Sequence, residues 1–111
     1  MTTRLISFAL LLASLSVAPG YAAAGDPEAG KGKAQVCVSC HGVGGKAPVA
    51  PNYPVLAGQY ADYLYQALKS YQDGTRSNAI MAGFAKSLSE QDMRDLAAYF
   101  EAQEGLVIKD Y

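Results

Sequence analysis

The sequence predicts an all-α domain in which three main helices are joined by two long loops. Apolar residues recur with the helical period over residues 60–71 and again over residues 93–100. A further helix start stands at Asp26, a residue type favoured as an N-cap, followed by Pro27 at the first helical position. No segment shows a convincing strand pattern, so we expect the fold to be built from helices.

The first helix is expected to run from Pro27 through Val36 into a pair of cysteines. Gly30 and Gly32 weaken it intrinsically, because glycine has a low helix propensity. A glycine is tolerated in a helix mainly where another backbone or an aromatic ring must approach closely. We therefore expect Gly30 to lie at a helix crossing.

Each of the other two helices carries one apolar stripe. The stripe of the second helix consists of Tyr60, Tyr63, Leu64, Ala67, Leu68 and Tyr71. Gly74 is placed to end that helix. The third helix begins at Ser89 with a capping-box-like sequence and is expected to end near Gly105. Its buried face is predicted to consist of Met93, Leu96, Ala97 and Phe100.

Both loops between the helices are long. Residues 42–58 contain four glycines and three prolines, which excludes a regular helix or a central strand. Residues 74–88 carry Met81. Loops of this length in a small domain usually have a function, and wrapping the two faces of a flat cofactor is one that fits both.

The first 24 residues have the features of a cleaved export signal. A cationic start at Arg4 precedes an apolar stretch, and small residues end the segment before Gly25. A retained membrane anchor is the alternative, but a bilayer needs roughly 20 predominantly apolar residues and this run is shorter. Residues 25–111 would then form one small periplasmic domain. Its eight basic and ten acidic residues argue against nucleic acid as a partner.

One motif indicates the chemistry of this domain. The pentapeptide Cys37-Val38-Ser39-Cys40-His41 has the spacing CxxCH, in which two thiols can be joined to the vinyl groups of a haem as thioethers. The imidazole of His41 would then lie beneath the iron as its proximal ligand. Covalently held haem c would also complete the core of a domain with limited capacity to bury enough apolar surface unaided.

Three other interpretations of the cysteine pair fit the sequence less well. A disulfide is the ordinary fate of two cysteines in an exported protein, and a CxxC pair can also be a thioredoxin-like redox dithiol. Both interpretations leave His41 unexplained, and the dithiol expects an α/β pattern that the sequence lacks. Zinc needs four ligands, and the chain has one histidine and two cysteines. Haem attachment is therefore favoured.

The chain has one histidine, so a second histidine cannot bind the far side of the iron. That position is bound by methionine, by another donor or by no protein ligand. Met93 lies on the apolar stripe of a helix, where core packing is the ordinary role of a methionine. Met81 is expected in an irregular loop, from which its thioether can be directed at the iron, so we favour it as the second axial ligand. A thioether stabilises ferrous iron and raises the reduction potential.

The ordered set of motifs resembles the bacterial class I c-type cytochromes, and within them a single haem domain of the cytochrome c4 type, with features shared by the c5 and c553 groups. The likeness covers roughly residues 25–103. It is carried by Gly30-Lys31, by the sequence from Cys37 to Gly42, by the loop from Pro51 to Gln59, by Met81-Ala82-Gly83, and by the stretch from Leu88 to Phe100.

The resemblance implies a cytochrome c fold with Cys37 and Cys40 on the vinyl groups and with His41 and Met81 as axial ligands. It also implies that the carbonyl of Pro51 accepts a hydrogen bond from the other ring nitrogen of His41. Gly30 would be the contact between the first and last helices, with Tyr99 or Phe100 packed over it. Two further residues, Tyr71 and Arg76, are candidates to contact a haem propionate.

The function expected from these features is that of a periplasmic electron carrier, not an enzyme, which docks transiently on a redox donor and a redox acceptor. Cytochrome c4 proper has two haem motifs and this sequence has one, which leaves a monohaem carrier. Whether it pairs with itself or with another cytochrome domain stays open. Two alternatives stay open at this point. One is a haem subunit of a larger redox enzyme, and the other is a haem catalyst or sensor with an open site in which Met81 is not a ligand.

Overall fold

The computed structural model describes residues 24–106, so the predicted signal peptide, residues 1–24, lies almost entirely outside the described range. This range contains helices and no strand, which confirms the predicted all-α class. The helices are α1 (Pro27–Lys33), α2 (Val38–His41), α3 (Ala61–Asp73), α4 (Ala79–Ala85) and α5 (Glu90–Glu101). No helix among the described residues is long and apolar enough to cross a bilayer.

The first helix begins as predicted but ends earlier. The side chain of Asp26 accepts hydrogen bonds from the backbone N–H groups of Glu28 and Ala29, and Pro27 occupies the first turn. The α-helix stops at Lys33, and a 3₁₀ turn over Ala34–Cys37 connects it to α2. The predicted continuous helix is therefore divided in two, and the short α2 holds Cys40 and His41.

The first and last helices cross at Gly30, as the sequence predicted. A Cβ atom at this position would stand 2.0 Å from the carbonyl oxygen of Asp95 and 2.8 Å from the Cβ of Tyr99. Real Cβ atoms do not approach a backbone so closely, so the crossing requires glycine. By contrast, a Cβ at Gly32 would meet nothing within 4 Å.

The carboxylate of Asp95 joins the same two helices. Its side chain is buried, and it accepts hydrogen bonds from the backbone N–H of Asp26, at 2.8 Å, and from the side chains of Lys33 and Gln91. Lys33 also contacts Asp92, at 2.9 Å. These bonds lower the pKa of Asp95 to about 2, with the backbone donor as the largest cause.

The second and third predicted helices correspond to α3 and α5. Gly74 ends α3 with a left-handed backbone, at φ 84°, and Ser89 forms a capping box with Asp92 at the start of α5. The buried face of α5 is the predicted one, Met93, Leu96, Ala97 and Phe100. The helix ends at Glu101, earlier than the predicted end near Gly105. Gly105 instead allows a close approach, since a Cβ there would stand 2.4 Å from the carbonyl oxygen of Ala57.

The loop predicted around Met81 is in part a helix. Asn78 caps α4 by accepting a hydrogen bond from the backbone N–H of Met81, at 3.0 Å. The helix is only seven residues long and packs on α3. Its shortness hides the helical period from sequence analysis, although Asn78 is a favoured N-cap residue.

Candidate haem site

Helix α2 and the turn before it bring the CxxCH motif to the wall of a cavity with a volume of about 830 Å³. Cys37, Cys40 and His41 all line it. Both cysteines are free thiols and are half-buried. Burial raises the pKa of the Cys37 thiol, and the neighbouring Cys40 adds to the effect. A redox dithiol needs a lowered pKa for its nucleophile, so this environment does not favour that alternative.

The imidazole of His41 is buried and held in one orientation. Its Nδ1 donates a hydrogen bond to the carbonyl oxygen of Pro54, at 2.8 Å, and the ring of Tyr53 lies edge-on to it with centroids 6.2 Å apart. A carbonyl can only accept, so Nδ1 carries the proton and Nε2 keeps its lone pair. This is the tautomer that binds a metal through Nε2.

The acceptor of this bond is Pro54, so the prediction that Pro51 accepts it was wrong. Residues 50–53 form a turn closed by a bond from the N–H of Tyr53 to the carbonyl of Ala50, at 3.1 Å. Pro51 lies at the corner of that turn, and the chain that follows the turn brings the carbonyl of Pro54 to His41. Pro51 lines the cavity without this bond.

The two methionines differ as the sequence indicated. Met81 is half-buried on α4 and lines the same cavity as His41. Met93 has no exposed surface and lies in the core face of α5, and it is not among the residues that line the cavity. Met81 is therefore the methionine whose thioether is available to a group bound in the cavity.

The remaining walls are mainly apolar. Helix α3 contributes the predicted stripe except Tyr60, which is the N-cap residue before the helix and does not line the cavity, and α5 contributes further residues. The main side chains concerned are Tyr63, Leu64, Ala67, Leu68, Leu96, Ala97 and Phe100. Of these, Tyr63 is 52 % exposed, so the stripe of α3 is covered only in part by protein. An apolar group bound in the cavity would complete this face.

Tyr71 and Arg76 lie together at the edge of the cavity. The guanidinium carbon of Arg76 stands 4.8 Å from the centroid of the Tyr71 ring, a cation–π contact. The backbone N–H of Arg76 donates to the carbonyl of Ser70, at 3.0 Å, which folds the chain back after α3. The site thus has a cationic edge beside its apolar walls.

The donor set of this cavity fits a covalently attached haem. Two free thiols and an imidazole with an available Nε2 come from one short segment, and a thioether lines the same cavity. The volume lies within the range of protein sites for small molecules and cofactors. Among residues 24–106, no group of three or more His, Cys, Asp or Glu side chains could bind a bare metal ion.

Comparison with known proteins assigns the family. The sequence pattern of the cytochrome c family matches residues 27–103, so the chain belongs to the cytochrome c family. Cytochrome c4 of Pseudomonas aeruginosa is 44 % identical over 104 residues, which cover 94 % of this chain and 50 % of that protein. Cytochrome c-554(548) of Halomonas halodenitrificans is 46 % identical over 84 residues, covering 73 % of this chain and all of that protein.

The fold is that of a class I cytochrome c. The crystal structure of reduced recombinant cytochrome c4 from Pseudomonas stutzeri superposes with a TM-score of 0.70 at 45 % identity. The match covers 76 % of this chain and 48 % of that one. The chain thus spans about half the length of the cytochrome c4 relatives it matches. Its cofactor is a covalently attached haem c.

Sequence reasoning missed several residues of the site. Pro54 and Tyr53 contact His41, and Asn78 binds the backbone of Met81. The helix that carries Met81 was also missed. The Asn78 side chain was the one local signal for it, because Asn before an apolar segment is a helix start.

Proposed function

We propose that the protein is a monohaem electron carrier of the periplasm, in which His41 and Met81 are the axial ligands of the haem iron. The observation that carries this proposal is the fixed imidazole of His41, with Nε2 available, in the same cavity as the thioether of Met81. When bound, the haem supplies an iron that takes up or releases one electron.

Each residue of the site has a definite task in this proposal. Cys37 and Cys40 hold the cofactor through thioether bonds, which keeps it in place in both oxidation states. The bond from His41 to Pro54 prevents the imidazole from rotating and raises its basicity. Met81 would hold the iron together with His41, which would leave no position on it for a substrate or a gas. A carrier is therefore favoured over a catalyst or a sensor.

The residues around the cofactor also suit electron transfer. The apolar side chains of α3 and α5 keep water from the cofactor, which limits the reorganisation that accompanies a change of charge. The cationic edge formed by Arg76 and Tyr71 is placed to contact an anionic propionate. Redox donors and acceptors would dock transiently, through the small interfaces typical of electron-transfer pairs.

A redox titration of the exported protein tests this function. We expect reversible one-electron behaviour. The ratio of oxidised to reduced protein should change tenfold for each change of about 59 mV in the applied potential. We also expect that carbon monoxide does not bind readily to the ferrous protein. Rapid binding of carbon monoxide by the unmodified protein would favour an open site instead.

The role of the cysteines is tested by replacing Cys37 and Cys40 with Ala, together and singly. The double variant should lose all haem that resists acid extraction, whereas the matched replacement of Ser39, inside the same motif, should retain it. Acid-stable haem in the double variant would contradict the proposed attachment.

A further inference from the structure

Helix α4, which carries Met81, is joined to α3 by one glutamine side chain. The Nε2 atom of Gln72 donates to the carbonyl oxygen of Ala85, at 2.9 Å, and to that of Leu88, at 2.7 Å. Ala85 is the last residue of α4, and Leu88 immediately precedes the N-cap of α5. One amide group of α3 therefore binds the last residue of α4 and the residue that precedes the N-cap of α5.

These bonds fix the C-terminal end of α4. Ala85 is the buried residue of α4, whereas Ile80, Met81 and Phe84 line the haem cavity. At the other end, Asn78 satisfies the N–H of Met81 but belongs to the same segment, so it cannot tie α4 to the rest of the domain. Gln72 supplies polar contacts from α3 at the end opposite to Asn78.

Gln72 lies outside the residues that line the haem cavity. It cannot act on the cofactor by contact, although Tyr71, the preceding residue, does line the cavity. Gln72 therefore acts on the iron only through the elements it joins, of which α4 carries Met81.

We propose that Gln72 is a positioning residue that holds α4 against α3 and thereby keeps the Met81 thioether on the iron. The inference rests on the proposed function, in which Met81 is an axial ligand. Without the two donors, the carbonyl of Leu88 loses its partner and that of Ala85 keeps only the N–H of Leu88, at 3.1 Å. Leaving a partly buried acceptor unpaired is unfavourable, so α4 opens more often.

The variant Gln72→Glu tests whether Gln72 holds α4 against α3. Glutamate has the length of glutamine but only accepts hydrogen bonds when ionised, so both donors are removed with little change of shape. Gln66→Glu is the matched control, because Gln66 is an exposed residue of the same helix and the change of charge is the same. Gln72→Leu is made in parallel, so that a variant without added charge is available.

Hydrogen exchange of the haem-loaded proteins measures the opening of α4 directly. Amides of residues 82–88 should exchange at least about tenfold faster in both Gln72 variants than in the parent and in Gln66→Glu, the factor that corresponds to about 1.4 kcal/mol. Exchange of α5 amides at residues 96–100 should change less. Equal exchange at residues 82–88 in all four proteins would overturn the proposal.

Imidazole binding to the ferric proteins measures the consequence at the iron. Imidazole can bind only when Met81 has left the iron, so its apparent dissociation constant is inversely proportional to the fraction of open molecules. We expect about tenfold tighter binding in the Gln72 variants and parent-like binding in Gln66→Glu. Faster exchange with unchanged imidazole affinity would overturn the positioning role.

A failure of the ligand assignment gives a different pattern. In that case the parent and Met81→Ala would bind imidazole equally tightly, and the ferric parent would lack the weak far-red absorption of iron bound to methionine sulfur. Such a result overturns the positioning of a ligand together with the proposed function. The exchange experiment would still decide whether Gln72 holds α4.

Discussion

Gly30 of α1 lies so close to Asp95 of α5 that a Cβ atom on residue 30 would stand 2.0 Å from the Asp95 carbonyl oxygen. The carboxylate of the same Asp95 binds the backbone of Asp26 and the side chain of Lys33, which flank this contact in sequence. Because α1 leads directly into the CxxCH segment, the crossing fixes that segment relative to α5, which forms a wall of the cavity.

Replacing Gly30 with Ala should therefore force the two helices apart. Overpacking of a tight contact costs about 1 to 3 kcal/mol, and the cost should lie at the upper end here because the obstacle is backbone. The matched change at Gly32, where an added Cβ meets nothing within 4 Å, should leave stability unchanged or raise it by about 0.5–1 kcal/mol through helix propensity. Urea unfolding of the haem-loaded proteins measures both.

The buried Asp95 predicts a stability that depends on acid pH. Hydrogen bonds from Asp26, Lys33 and Gln91 lower its pKa from 3.8 to about 2. The contribution of Asp95 to the free energy of unfolding is fully present above about pH 4, where the carboxylate is ionised even in the unfolded chain. It is lost as the pH falls through the pKa of the folded state. Asp92, which also binds Lys33, has a pKa lowered in the same direction.

The variant Asp95→Asn isolates this effect. We expect it to be less stable than the parent by about 1 to 3 kcal/mol at pH 7, because a buried acceptor of three bonds is weakened. The difference between the two proteins should shrink between pH 4 and pH 2. Glu104→Gln, at an exposed carboxylate, should follow the parent throughout. A difference that stays constant down to pH 2 would contradict the assignment.

Arg76 should affect the reduction potential. A cation at the edge of the site disfavours the ferric state, which carries one more positive charge, so Arg76→Gln is expected to lower the potential. A pair at the surface contributes about 0.2 to 1 kcal/mol, which corresponds to roughly 10 to 40 mV for one electron. Redox titration at low salt measures the shift. Lys31→Gln, at an exposed residue outside the cavity lining, should change the potential by less.

Sequence analysis succeeded where the information is local. The cap at Asp26, the capping box at Ser89 and the left-handed end at Gly74 each depend on a few neighbouring residues, and the structure has all of them. The buried face of α5 was predicted because a helix of twelve residues is long enough to show its period. Helix α4 has seven residues and was taken for a loop.

Contacts between distant segments were harder to predict. Pro51 and Pro54 stand in one loop, and only the turn at residues 50–53 decides which carbonyl meets His41. Gln72 gives no local signal, because its partners are 13 and 16 residues away. The crossing at Gly30 was predictable because a glycine in a helix interior calls for an explanation.

Ferric absorption spectra of the parent, Met81→Ala and Met93→Leu test whether His41 and Met81 are the axial ligands of the iron. We expect a low-spin spectrum with the weak far-red band of haem iron bound to methionine sulfur in the parent. Met93→Leu should show the same spectrum, because Met93 lies in the core. Met81→Ala should keep its haem, lose the band and move toward high spin. A Met81→Ala spectrum identical to that of the parent would show that Met81 does not bind the iron.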